Sequence, residues 1–370
     1  MTIVIYVITY EYRMRPTNKQ VKQLNRMLWL TRTAYNDMLQ ELIDNYKATG
    51  KHMNRFAQDK LHGKARHPEI AAVLVDTTVV RVQRSFESFF RGLKGGRKNG
   101  FPRFKSARSW STLQYRDAHN ALIGNYFQSG KPVAGNIRVN VHRPMEGEFK
   151  FGRIVRRPSG FYLQCVCEEV EHEPTANDKA VGVDVGLLHF VADSAGNTVE
   201  NPRFLQKSLK RLAKAQKVLA RRKKGSGRRK KQVAVVARIH EHITNQRKDY
   251  LHKVSRQYVN GYGFIAVEDL NISGMVQNHH LARSIADASW GMFVDMLSYK
   301  AESAGGKLVK VAPQYTSQKC SRCGEYVEKS LSVRTHICPS CGYVADRDVN
   351  AARNILRKAR TEPLGSRING

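Results

Sequence analysis

Residues 314–354 read QYTSQKCSRCGEYVEKSLSVRTHICPSCGYVADRDVNAARN. Two Cys-x-x-Cys pairs, Cys320 with Cys323 and Cys338 with Cys341, are separated by fourteen residues, and Gly324 and Gly342 follow the second thiol of each pair. Four thiolates at that spacing suit a tetrahedral Zn²⁺ and leave it no open position, so the zinc is expected to be structural. His336 is a possible substitute ligand, although a lone histidine beside four thiols is more often a bystander. Asp346 and Asp348 follow at once, at the start of a good helix-forming run, VNAARNIL. The module therefore delivers a carboxylate to a fixed place. One of the two acids can serve as the helix cap, and spacing alone does not say which.

The chain has 370 residues, 41% of them hydrophobic, which is enough for two or three domains with real cores. Its 63 Lys and Arg against 31 Asp and Glu give +32, a charge that points to a polyanionic partner and makes nucleic acid the leading one. No stretch reaches the ~20 apolar residues of a spanning helix. TIVIYVITY, residues 2–10, has no basic region before it and reads as a strand, not a signal peptide. The expected location is inside the cell, where paired cysteines bind metal before they form disulfides. Cys165 and Cys167 in FYLQCVC fall on one face of a strand and are expected in the core.

After the opening strand, Thr17–Thr49 and about Pro68–Leu93 carry apolar residues at helical spacing with basic residues between them. GLKGGRKNGFPRFKSARSW, residues 92–110, sets Phe101, Phe104 and Trp110 among cations. Such rings can stack bases, but the simpler reading places them in a β-domain core. Short alternating runs to about Glu173 suggest an antiparallel barrel or sandwich completed by the opening strand, and HEPTANDK, residues 172–179, reads as a linker. Farther on, Pro202–Tyr258 is helical with a break at KKGSGRRK. Between Lys207 and Lys231 lie thirteen Lys or Arg and no acid, an uncompensated hairpin suited to phosphates.

Two more acids complete a constellation. In AVGVDVG, residues 180–186, Asp184 sits on the strand face opposite Val181, Val183 and Val185, between glycines that let something approach closely. In FIAVEDL, residues 264–270, Glu268 and Asp269 fall on opposite faces, so one of them joins a given site; we assign Glu268. Three carboxylates together repel unless cations neutralise them, and oxygen ligands select hard ions, Mg²⁺ or Mn²⁺. A strand acid, a strand-end acid and a helix acid in that order form the layout of an RNase H-like nuclease core, in which two such ions serve phosphodiester hydrolysis.

GVDVGLLHF, RIHEHITNQRKDYLHKVS, VEDLNISGM, SWGMFVDMLSYKAE, PQYTSQKCSRCG and CGYVADRDVNAARNI, with GFPRFKS in the N-terminal half, resemble the transposon-associated TnpB family of RNA-guided nucleases, related to type V CRISPR effectors. The resemblance is strong over roughly 178–357 and rests on GFPRFKS and layout before that. It implies a multidomain α/β and β chain. A β-barrel wedge domain takes 1–15 and 96–175, interrupted by a helical recognition domain at 16–95. An RNase H-like RuvC domain takes 178–313 and 346–360, with an inserted zinc ribbon at 314–345 and a flexible tail at 361–370. It assigns Asp184, Glu268 and Asp348 as the acids that are catalytic and bind magnesium, with Cys320, Cys323, Cys338 and Cys341 on zinc. It also implies a guide RNA from the transposon end, a target double-stranded DNA cut beside a short adjacent motif, a monomer, and a cytoplasmic, nucleoid-associated location in a bacterium or archaeon. Leu188 and His189 depart from the commoner residues of the first motif. A DDE-like transposase and a non-cutting nucleic-acid-binding regulator are the alternative readings.

Overall fold

A computed structural model of the chain describes residues 5–62, 66–96, 100–116, 121–128, 135–170, 177–275, 277, 282–330 and 333–361. Most of the expected linker, at 172–176, and the expected tail beyond Thr361 lie outside the described residues. The chain divides into two compact units, Met1–Val170 and Glu171–Gly370.

In the first unit β1 (Ile5–Arg15) runs into Pro16 and a capping box. Thr17 Oγ1 accepts the Gln20 N–H and Gln20 Oε1 accepts the Thr17 N–H, which starts α1 (Asn18–Thr49). Gly50, at φ 65, ends that helix, its N–H bonded to Tyr46 O. The sequence pattern did not resolve α2 (Arg55–Leu61). Next comes α3 (Ala72–Lys94), which begins after Pro68 because a turn intervenes, closed by Ile70 N–H to His67 O. Then follow β2 (Thr112–Tyr115), β3 (Leu122–Ile123), β4 (Tyr126–Gln128), β5 (Asn136–Asn140), β6 (Glu148–Arg157) and β7 (Gly160–Val170).

These strands form one antiparallel sheet in the order β2-β6-β7-β1-β5-β4-β3. The opening strand lies inside it, paired with β7 and with β5. The order is linear, with β2 and β3 at its ends among the described residues, and the three helices are inserted between β1 and β2. Tyr10, Tyr12 and Met14 of β1 join Leu163, Cys165 and Cys167 of β7 and the apolar stripes of α1 and α3 in one core. Both cysteines are free and buried. Of the three rings at 101–110 only Trp110 enters that core. Its Nε1–H donates to Thr31 Oγ1, and the Arg81 guanidinium lies 3.7 Å from the ring centroid. Phe101 stacks on Phe89, while Phe104 stays 51% exposed.

The second unit is built on β8 (Ala180–Val185), β9 (His189–Asp193) and β10 (Thr198–Glu200), then the hairpin of α4 (Phe204–Ala220) and α5 (Gly227–Gly261). After β11 (Phe264–Glu268) come α6 (Ile272–Met275), α7 (Ala282–Ala288), α8 (Trp290–Ser303) and β12 (Lys307–Val311). A small hairpin, β13 (Thr335–Ile337) and β14 (Val344–Asp346), leads into α9 (Arg347–Thr361). The main sheet has the order β10-β9-β8-β11-β12, with β8, β11 and β12 parallel and β9 and β10 antiparallel.

Alternation along the strands decides what covers each face. Val181, Val183, Ile265 and Val267 pack on α5, α7 and α8 through Leu251, Ile285, Phe293 and Leu297. Ala266 and Val311 point the other way, onto Ile355 and Ala359 of α9. No helix among the described residues is long and apolar enough to cross a membrane.

Candidate active site and metal centre

The site lies where the parallel strands end, beneath α9. Val183 pairs with Val267, so Asp184 and Glu268 stand at the next step of adjacent strands, on the face that carries Gly182 and Ala266. Gly182 explains how α9 reaches that face. A Cβ built there would lie 2.0 Å from Ala352 O and 2.8 Å from Leu356 N, so the helix backbone rests directly on the strand. Gly186 is similarly crowded: a Cβ there would meet His189 O at 2.8 Å and Asp348 Oδ2 at 3.9 Å. The partner for which these glycines leave room is therefore the helix that carries the third acid.

Asp346 and Asp348 separate cleanly. Asp346 Oδ1 accepts the N–H groups of Asp348 (2.8 Å) and Val349 (3.1 Å), which makes Asp346 the cap of α9. Asp348 stands in the first turn, its side chain 14% exposed, with Arg334 Nη1 3.8 Å away. Asp269, of opposite parity to Glu268, uses its N–H on Val311 O. A further buried acid of this unit, Asp193, is consumed by the Ser194–Asn197 turn and the Tyr258 hydroxyl.

All three converging acids resist ionisation. Burial, and after it the charges of Glu268 and Asp348, hold Asp184 well above the usual carboxylate range. Burial raises Glu268 against the opposing pull of Thr316 and Lys358, and burial and then Asp346 raise Asp348. Among the described residues only the cysteine set brings three or more ligand atoms all within 4.8 Å of one another, so at least one pair of the acids stands beyond that distance. Raised, oxygen-only and mutually repelling, they are a donor set suited to hard divalent cations.

The cysteines converge more tightly. Cys320 Sγ lies 3.7 Å from Cys341 Sγ, and Cys323 Sγ lies 3.5 Å from Cys338 Sγ, with all four unbridged. Thiolates ~2.3 Å from a tetrahedral zinc are about 3.8 Å apart, so the set fits that ion. Gly324 (φ 85) and Gly342 (φ 67) turn the two loops, and their N–H groups bond to Cys320 O and Cys338 O. His336 is fully buried and turned to Lys329, outside the sulfur set.

Several positioning residues carry no strong sequence signal. Thr316 Oγ1 contacts Glu268 Oε1 and ties the base of the cysteine module to the acids. Asn350 and Asn354 lie one turn apart on α9 and are buried. The first receives the Ser321 N–H and donates to Lys319 O, and the second donates to Thr316 O and Lys319 O. Two buried asparagines at i and i+4 on a helix were the available hint, because buried amides require partners. On the α4–α5 hairpin only Leu212, Ala215, Ile239 and Ile243 form a small core. The thirteen cations of 207–231 face outward, apart from the half-buried Arg229, and make no ion pair among the described residues.

The family model described as "Probable transposase" matches residues 163–279, and one described as "Cas12f1-like, TNB domain" matches 290–355. Over 359 residues the chain is 32% identical to a Streptomyces pristinaespiralis protein provisionally named an RNA-guided DNA endonuclease, covering 94% of this chain and 88% of that one. The chain belongs to the TnpB family. A second TnpB-family relative, InsQ of Escherichia coli K12, carries the same provisional name and is 29% identical over 94% of this chain and 91% of its own. Among solved structures, Cas12f1 in complex with sgRNA and target DNA superposes on this TnpB-family chain with a TM-score of 0.57 at 15% identity, over 92% of this chain and 83% of the other, a likeness of fold. A model described as a helix-turn-helix domain matches residues 7–51. Here the TnpB-family chain has a strand and one unbroken 32-residue helix in that stretch, not two helices about a turn.

Proposed function

We propose that this chain is the RNA-guided, metal-dependent DNA endonuclease of a transposon, cutting target double-stranded DNA beside a short adjacent motif. The observation that carries the reading is the convergence of Asp184, Glu268 and Asp348 from two parallel strands and the first turn of α9, on one face of one sheet. The names of the relatives support RNA guidance and DNA as target. The second unit is then an RNase H-like RuvC domain (178–313 and 346–360) with the zinc ribbon at 314–345. The first is a wedge domain (1–15 and 96–175) with an inserted recognition domain (16–95), and the chain acts as a monomer.

In this site Asp184 and Glu268 offer carboxylate oxygens from neighbouring strands, and Asp348 offers another from the helix above. Thr316 orients Glu268, and Asp346 holds the first turn so that Asp348 faces the strands. Mg²⁺ or Mn²⁺ bound by these acids supplies Lewis acidity toward the phosphate and the attacking water. The acids must shed their protons to hold such ions, so activity should rise as the solution becomes less acidic. Zinc on the four cysteines would fix the ribbon and, through Thr316 and the asparagines of α9, the placement of Glu268 against Asp348. Exposed Lys and Arg of the α4–α5 hairpin provide a surface for nucleic-acid phosphates. Guide pairing reads the sequence, and the protein holds the duplex by its backbone.

The test is to express the chain with its flanking DNA, sequence the RNA that survives a high-salt wash, and offer a matching duplex with Mg²⁺. The wild type should cut both strands, and Asp184→Ala should bind RNA and DNA but leave the duplex whole. Cutting by Asp184→Ala would remove the assignment of this site. The description of the matching family as a transposase keeps strand transfer as a second reading; joined donor and target DNA formed without a guide would establish it instead.

A further inference from the structure

One exposed group, next in sequence to the threonine that contacts Glu268, has no part in the chemistry of the acids. Tyr315 has φ 65, a left-handed conformation that is a genuine outlier for a bulky side chain. Its neighbours impose it. The N–H groups of Gln318 and Lys319 both close on Tyr315 O, and Thr316 is held between Glu268 and Asn354. Strain of this kind persists where the surroundings over-determine it, and it gathers at ligand clamps. Here the residue is 57% exposed, next in sequence to the one that contacts Glu268.

The ring is not alone. Tyr326, 47% exposed, meets it edge to face at 5.9 Å, so the two rings form a corner with open aromatic surface. Tyr315 also borders a cleft of about 260 Å³ whose walls include Lys319, Arg357 and Lys358 and no carboxylate. Arg357 and Lys358 are fixed by Ser321 O and Ala312 O, which keeps two cations in place on that wall. Open aromatic faces beside anchored cations are the chemistry that takes a nucleobase and its phosphate.

We propose that the Tyr315–Tyr326 corner is a base-stacking platform for one unpaired nucleotide of the DNA strand being cut, seating it beside Glu268. The inference rests on the nuclease reading and deepens it by assigning a contact to the substrate. Because the platform acts on an unpaired base of any identity, it sets where the strand lies, not which sequence is read.

Glycine is the informative substitution, since it relieves the left-handed strain while removing the ring. Tyr315→Gly in the guide-loaded full chain should melt no lower than the wild type. The concentration of single-stranded target needed for half-maximal cutting should rise about 5- to 150-fold, the range expected for losing one stacked base. Tyr315→Phe should behave as the wild type. In a series of target strands each lacking one base near the cut, one position should impair the wild type as the Gly variant is impaired, and at that position the variant should be indifferent. Ultraviolet crosslinking of a strand carrying 5-bromodeoxyuridine at that position should label the Tyr315 peptide. Unchanged half-saturation in Tyr315→Gly, an equal loss in Tyr315→Phe, or a marked drop in its melting temperature would each overturn the proposal. If the wild type cuts nothing, yet 5-bromodeoxyuridine scanned along the strand labels the Tyr315 peptide at one position, the nuclease reading fails and the corner stands as a stacking contact to a bound strand.

Discussion

Replacing Gly182 by alanine tests how the site is assembled, at a residue that touches no substrate. The new Cβ would lie 2.0 Å from Ala352 O and 2.8 Å from Leu356 N, so strand and helix backbone must part by about 1 Å or more to reach ordinary contact. Overpacking of this kind costs about 1–3 kcal/mol, which for a unit of this size lowers Tm by about 2 to 12 °C. The same retreat carries Asp348 away from Asp184 and Glu268, and a misplacement of about 1 Å costs on the order of 10²-fold in rate. Thermal melting and single-turnover cutting of a guide-matched duplex read the two effects separately. Gly227→Ala, at the start of α5 with nothing within 4 Å, controls for the change of residue type and should lower neither. A Gly182→Ala protein that melts and cuts as the wild type would show that α9 does not rest on β8 and that this contact does not place Asp348.

The two acids of the DRD element should part under substitution. Asp346→Ala removes a helix cap and should cost about 1 kcal/mol of stability, whereas Asp348→Asn, which removes a buried like charge, should not lower the melting temperature but should lower the cutting rate by about 10²-fold or more. Stripping zinc with a strong chelator should release one ion per chain and lower Tm, and Cys320→Ser should already be short of that ion as isolated; full zinc-free stability would refute a structural role. In metal-free buffer the raised acids give a definite sign. Folded Asp184 keeps its proton where the unfolded chain has lost its own, so stability falls as pH rises above about 4. Asp184→Asn should flatten that slope, and added Mg²⁺ should restore stability in the wild type alone, both visible by melting across pH.

Much of this was legible because the strongest signals are local. The cysteine spacing, the strand parity that sets Asp184 and Glu268 on their faces, and the helix that follows Asp346 all depend on near neighbours in sequence. The choice between Asp346 and Asp348 was not legible, because it turns on which carboxylate spends its oxygen on backbone N–H groups. Gly182 read only as room for a close approach; that the visitor is a helix more than 160 residues later is a tertiary fact. Thr316, Asn350 and Asn354 likewise act through partners brought near only by the fold. In the N-terminal unit Trp110 enters the core, where its indole N–H finds a hydroxyl partner in Thr31, whereas Phe104 remains exposed, a difference that their shared basic surroundings in sequence do not encode. Alternation assigns the opening strand to the β-domain, but its position inside a linear strand order depends on pairing that alternation cannot specify.

On the nuclease reading, Asp184, Glu268 and Asp348 jointly hold divalent cations. Crystals soaked in Mn²⁺ and measured for anomalous scattering test it directly. Manganese is expected in contact with carboxylate oxygens of all three residues, lost or displaced in Asp348→Asn, with a separate zinc signal among Cys320, Cys323, Cys338 and Cys341. Manganese held by Asp346 in place of Asp348, or no manganese on this face of the sheet, would contradict it.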